Sequence, residues 1–279
     1  MVKFGCHLSI RNGFLEAAKK ALDMQASAFQ YFPKNPRSLS IKKFDQIDAA
    51  RCKEFCEEHG ILSVSHTPYP TTITPHDQRT RRLVVQSLLN DLEIAEACGS
   101  IGVVVHFGKP LPNTSLLESY QLMIEVLNEV LDQWEGQAKL LLENNAGVPG
   151  TIGTTLEELV HIRKLCNDPG KIGFCFDTCH AFSCGLWNGD NWRELAEKAR
   201  ELDYFENLEI IHFNNSKYPS GEGKDRHAPI FGSGHMKVEQ FDILLNTPEL
   251  RHVPFILETP KEEIPHEKEM ELLNERWNR

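Results

Sequence analysis

Eight short apolar runs punctuate this chain at regular intervals, and a helix-type pattern follows each of them. The runs are Val2–His7, Ala28–Phe32, Leu62–His66, Ile101–His106, Leu140–Glu143, Ile172–Asp177, Glu209–Phe213 and Pro254–Glu258. Between the first two, Phe14, Ala17, Ala18, Ala21 and Leu22 form one apolar stripe at helical spacing. Leu88, Leu92 and Ala95 do the same ahead of Gly99, and Gly60 closes the segment Arg51 to His59; glycine is a common helix-ending residue because it accepts the left-handed turn there. Thr154 to Glu157 and Asn191 to Glu194 have capping-box spacing. Strand and helix in strict alternation predict a parallel sheet. Eight such units favour a closed barrel, which leaves no strand edge unpaired. The expected fold is therefore an α/β protein of the TIM (β/α)8 type, with residues 1–279 as a single barrel domain. The 279 residues suit it, since such barrels run to about 250 residues. No glycine-rich phosphate loop follows the first run, which argues against a dinucleotide fold.

Most of the runs end on a metal-ligand type of side chain. His66, His106, Glu143, Asp177, His212 and Glu258 lie at their C-terminal ends, and His180, Asp225 and His227 follow close behind. A (β/α)8 barrel brings all its strand C-termini to one rim, so these nine residues are expected to meet there. Each alone is more often a hydrogen-bonded structural residue than a ligand. Together they resist that reading, because charged groups facing a barrel mouth must be paired or metal-bound. One zinc ion takes three or four protein ligands, so nine donors imply two or three ions. Histidine and carboxylate donors suit Zn, Mn or Fe. Cys179 lies between Asp177 and His180, and side-chain alternation is expected to turn it away from them.

Composition narrows the function classes. A formal net charge of −10 speaks against a nucleic-acid partner, which usually meets a basic face. Two features weaken that vote: bound cations would offset the site's carboxylates locally, and Lys34, Arg37, Lys109, Lys217, Lys224 and Arg226 fall in the segments expected to form the rim. No apolar run of about 18 residues is present, so no membrane span is expected. The eight cysteines lack secreted-disulfide spacing and read as buried reduced thiols, with a cytoplasmic location expected. The start of the chain has no secretory-signal pattern. A monomer is expected, because no helix shows an obvious second apolar face.

Several stretches resemble the endonuclease IV family of apurinic/apyrimidinic endonucleases. They are Gly5 to Ser9, Leu142 to Asn144, Phe176 to Phe182, His212 to Asn214, Asp225 to His227 and Leu257 to Pro260, so the resemblance spans nearly the whole chain. It implies a barrel of the xylose-isomerase-like superfamily holding three metal ions, usually zinc. His66 and His106 would hold the first, with Glu143 bridging to the second. Asp177, His212 and Glu258 would complete the second, and His180, Asp225 and His227 would hold the third. The implied partner is double-stranded DNA containing abasic sites or blocked 3′ ends. The implied reaction is hydrolysis on the 5′ side of the abasic site, leaving a 3′-hydroxyl and a 5′-deoxyribose phosphate, with Glu143 as the catalytic carboxylate. Arg37 and Tyr69 would fill the gap left by the extruded nucleotide, Asn35 would contact the DNA backbone, and His7 would lie just behind the ligands.

The chain departs from the family pattern in three places. Asn215 stands where the family commonly has Asp, and loss of a carboxylate supporting a ligand is expected to weaken metal binding by about 10–100-fold. Ile10, Arg11 and Asn12 replace small residues in the first rim loop, and Pro70 follows Tyr69 in place of an apolar wedge. Two alternative functions share the barrel: a metal-dependent sugar isomerase or epimerase, and a non-catalytic DNA-lesion binder. The first has no need of a third donor set at His180, Asp225 and His227. The second would be expected to have lost a ligand beside the nucleophile.

Overall fold

The computed structural model describes residues 1–148 and 151–278. In chain order the elements are β1 (Lys3–His7), α1 (Phe14–Asp23), β2 (Ala28–Tyr31), α2 (Gln46–His59), β3 (Leu62–His66), α3 (Gln78–Ala97), β4 (Gly102–His106), α4 (Leu116–Leu131) and β5 (Lys139–Glu143). There follow α5 (Leu156–Leu165), β6 (Ile172–Asp177), α6 (Thr178–Ser183), α7 (Trp192–Glu201), β7 (Leu208–His212), β8 (Asn215–Ser216), β9 (His227–Ala228), α8 (Val238–Leu245), β10 (Pro254–Leu257) and α9 (His266–Trp277). Strands β1–β7 and β10 close into one parallel barrel in the order β1-β10-β7-β6-β5-β4-β3-β2. Each expected strand is present, with ends shifted by a residue at most.

Two apolar layers hold the barrel. The inner one is small: Ala28, Val64, Val104, Leu141, Cys175, Ile210 and Ile256 fill the lumen, one residue from each of seven strands. The eighth strand contributes Gly5, where a Cβ would fall 2.0 Å from the Ala28 carbonyl oxygen. Glycine there lets β1 and β2 approach. The outer layer, including Phe4, Phe29, Val103, Leu142, Phe174 and Phe255, packs under the helices. Residues one apart on a strand face opposite ways, so unbroken apolar runs serve both layers.

Helix ends follow the sequence signals with one shift and one exception. Gly60 is left-handed (φ 64°) after α2, and Gly99 (φ 66°) follows α3. The capping box of α5 is Thr155 with Glu158, one residue later than the spacing of Thr154 and Glu157 suggests. Asn191 precedes α7 without capping it. Its side chain instead donates to Leu186 O and accepts from Asn188 N, closing the preceding turn. All eight cysteines are buried and unpaired, and no helix among the described residues is long and apolar enough to cross a membrane.

Candidate metal centre

Strand register builds the site. On β4 and β5, His106 lies beside Glu143; on β6 and β7, Asp177 lies beside His212. His66 ends β3, and Glu258 follows the last residue of β10. The remaining three donors come from short elements above the mouth. Asp177 caps α6, its carboxylate accepting from His180 N at 2.7 Å, which plants His180 over the rim. The antiparallel pair β8–β9 returns the chain over the mouth and delivers Asp225 and His227. All nine residues therefore meet at the C-terminal end of the barrel.

Their donor atoms fall into overlapping groups, each with all its atoms within 4.8 Å of one another. One is His66, His106 and Glu143; another is Glu143, Asp177, His212 and Glu258; a third is His180, Asp225 and His227. Two more include a cysteine, Cys175 with Glu143 and His212, and Cys179 with Asp177 and His227, so Glu143 belongs to three of the five. Its Oε2 lies 3.2 Å from His106 Nε2 and 3.6 Å from His66 Nε2, while Oε1 lies 2.8 Å from His212 Nδ1. Asp225 sits 3.4 Å from His180 Nε2 and 3.2 Å from His227 Nε2.

The imidazoles are oriented from behind. His66 Nδ1 meets Thr67 O at 2.8 Å, His180 Nδ1 meets Asn144 O at 2.9 Å, and His227 Nδ1 meets Glu258 O at 3.3 Å. A carbonyl oxygen only accepts, so each of these rings keeps its proton on Nδ1 and turns Nε2 to the site. His212 is reversed: Nε2 faces Gln30 Oε1 at 2.7 Å and Nδ1 faces the carboxylates. Asn144 and Asn214 fix Asp177. Asn144 brackets its backbone, and Asn214 Nδ2 donates to Oδ2 at 2.8 Å. Asn214 Oδ1 also accepts from Glu258 N.

Charge in the bowl is poised for cations. Burial alone would raise the Glu143 carboxyl, yet the facing imidazoles of His212 and His106 hold it well below the usual carboxylate range. Glu258 is likewise brought to about 2 against its burial. Burial would lower His227, but the carboxylates of Asp225 and Asp177 outweigh it and raise it to about 9. Asp177, sealed among these groups, is pushed up by burial. Among the described residues, buried Glu143 Oε2 and His227 Nε2 have no aligned hydrogen-bond partner. Buried polar atoms left without a hydrogen bond, beside clustered carboxylates and imidazoles, suit the coordination of divalent ions.

The structure corrects three expectations. Cys179 does not point away: its Sγ lies within 4.8 Å of donor atoms of Asp177 and His227. Alternation fails there because residues 178–183 are helical. Burial pushes its thiol up to about 12, so the side chain itself favours the protonated form. Lys34 is not a rim charge: it is buried and paired with Asp91. Asn215 does not stand behind a ligand. It accepts from Ser216 N and Met236 N and donates to Met236 O, pinning the loop before α8. Asn35 spends its Oδ1 on Arg37 N, leaving Nδ2 for any outside contact.

Arg37 and Tyr69 are exposed on the β2–α2 and β3–α3 loops, Tyr69 to 64%. Tyr69 N donates to Pro36 O at 2.8 Å, and its ring packs on Phe32 at 5.2 Å. The two loops thus form one ridge beside the donors. His7, on β1, is hydrogen-bonded to Gln30, which in turn holds Glu258 and His212, and burial lowers its pKa to about 3. Gln30, Asn144 and Asn214 gave no signal of their own in the sequence, although the two asparagines adjoin ligand motifs. Beyond the ridge a cleft of about 1070 Å³ runs past Tyr69, His106, Lys109, Asn145 and His180.

Fold and mouth together define a barrel of the xylose isomerase-like TIM class, and a family model of that description matches residues 18–276. A probable endonuclease 4 from Symbiobacterium thermophilum is 40% identical over 93% of both chains. The crystal structure of endonuclease IV from Thermus thermophilus superposes with a TM-score of 0.80 at 27% identity, covering 92% of each chain. A D-tagatose 3-epimerase-like protein also superposes (TM-score 0.71, 22% identity, 98% of this chain and 96% of that one) and shares the fold. The chain belongs to the endonuclease IV family of apurinic/apyrimidinic endonucleases. It is accordingly a hydrolase acting on DNA.

Proposed function

We propose that this protein hydrolyses the phosphodiester on the 5′ side of abasic sites in duplex DNA, using three zinc ions, and that it also trims blocked 3′ ends. The observation that carries this reading is that all nine donors fall into three cysteine-free groups, two of which share Glu143. His66, His106 and Glu143 would hold one ion, Glu143, Asp177, His212 and Glu258 a second, and His180, Asp225 and His227 a third. The donor set would also accept Mn or Fe. When bound, the ions would lower the pKa of water and neutralise phosphate charge. They would also reconcile an acidic protein with a polyanion, because the four carboxylates of the bowl repel phosphate unless cations cover them.

The side chains supply the rest. Glu143 would position or deprotonate the attacking water. Arg37 and Tyr69 stand on the ridge beside the donors, where an abasic nucleotide turned out of the stack would leave a gap to fill. Extrusion is least costly where a base is already missing. The third donor group disfavours a sugar isomerase or epimerase, and retention of Glu143 and Glu258 disfavours a lesion binder without catalysis.

The test is Glu143→Gln on a duplex carrying a tetrahydrofuran abasic analogue, with metal content measured on the same sample. The variant should fold and lose incision by on the order of 10²–10⁴-fold. Turnover like that of the unmutated protein, with metals still bound, would remove Glu143 from the mechanism.

A further inference from the structure

Gln30 grips the side chains of two candidate ligands of the same ion, Glu258 and His212. It sits on β2, a strand that supplies no ligand, and its side chain is fully buried. Its amide nitrogen lies 2.6 Å from Glu258 Oε1 and 3.2 Å from His7 Nδ1. Its amide oxygen lies 2.7 Å from His212 Nε2. The orientation of the amide is fixed by chemistry. A metal-ligating Glu258 would be a carboxylate, which only accepts, so the NH2 group faces it. The oxygen must then face His212, which obliges His212 to carry a proton on Nε2.

Two consequences follow for the ligands. With its proton held on Nε2, the neutral His212 ring offers the Nδ1 lone pair to the group of Glu143, Asp177 and Glu258. Glu258 has one oxygen tied to Gln30, which turns Oε2 towards the same group, 3.2 Å from His212 Nδ1. His7 completes the chain from outside: its Nδ1 can only accept from the Gln30 amide, so its proton is on Nε2. His66, His180 and His227 are oriented by backbone carbonyls, which no side-chain change removes. His212 depends on a side chain instead.

We propose that Gln30 is the positioning residue of the ion held by Asp177, His212 and Glu258, fixing the tautomer of one ligand and the rotamer of another. This rests on the metal-ion reading above. Groups that orient metal ligands are typically worth about 10–100-fold in metal affinity, so its removal should loosen one ion selectively.

The experiment uses the full-length, zinc-loaded protein and Gln30→Met, which keeps the length of the side chain and removes both polar atoms. Zinc release to a chromophoric chelator is followed, beside thermal unfolding of the metal-free proteins. The variant is expected to release one zinc equivalent about 10–100-fold faster with the other equivalents little changed; the metal-free protein should unfold at a somewhat lower temperature, since Glu258 Oε1 and His212 Nε2 lose a buried partner, which by itself would not single out one equivalent. A second measurement needs no variant: nitrogen-15 NMR of the zinc-loaded protein should show a hydrogen-bonded Nε2–H on His212. Identical release of all equivalents by both proteins, or a proton on His212 Nδ1 instead, would overturn the role of Gln30 alone. Failure of the unmutated protein to hold zinc would overturn the metal reading and this inference together.

Discussion

Lys34 descends from the loop that carries Asn35 and Arg37 and meets Asp91 of α3 inside the protein, 3.0 Å from Nζ to Oδ1, with both side chains sealed from solvent. Its Nζ also donates to Ser87 O at 2.9 Å. The ridge beside the candidate metal centre is thus anchored by a buried ion pair. Removing one partner leaves the other charged and unpaired in the interior, which typically costs about 3–5 kcal/mol. Asp91→Ala and Lys34→Met should each be strongly destabilising in chemical denaturation, and the double variant Lys34→Met/Asp91→Leu should be less so than the sum. Additive losses would show that the two charges do not compensate one another.

Asn215 makes a contrasting case. An Asp there could not donate to Met236 O, and an unpaired buried group costs about 1–3 kcal/mol. Asn215→Asp should therefore lower stability by that amount while leaving zinc affinity unchanged, since all three side-chain bonds go to backbone outside the donor groups. A tighter hold on zinc in the variant, measured by chelator competition, would restore the idea that this position supports a ligand.

Tyr69 offers a large exposed ring on a short loop, backed by Phe32. Stacking of an aromatic ring on a base is worth about 1–3 kcal/mol. Tyr69→Ala should weaken binding to an abasic duplex by about 1–3 kcal/mol, with a smaller effect on cleavage of a short single-stranded analogue. Equal losses on both substrates would place Tyr69 outside the recognition of the duplex.

The barrel and the meeting of the nine donors at its rim were legible because both depend on local, periodic signals. Apolar runs mark strands whichever layer they serve, and a His or carboxylate closing such a run is placed on the rim by topology. What was not legible depends on contacts between distant segments. Strands β8 and β9 are two residues each, too short for any period, yet they deliver His227. The turn from β6 into α6 breaks alternation at once, which is why Cys179 faces the ligands. Nothing in the local sequence distinguishes Lys34, whose partner Asp91 lies on a different element, from a solvated loop lysine. Gln30 reads as one polar residue in an apolar strand, and its partners Glu258 and His212 lie 228 and 182 positions away.

The most direct measurement combines metal analysis by mass spectrometry with incision of an abasic-site duplex, both on one preparation of the purified protein. A three-ion centre predicts about three ions per chain and chelator-sensitive cleavage that leaves a 3′-hydroxyl on the 5′ side of the lesion. One ion per chain without incision, or incision that survives complete removal of metal, would contradict it.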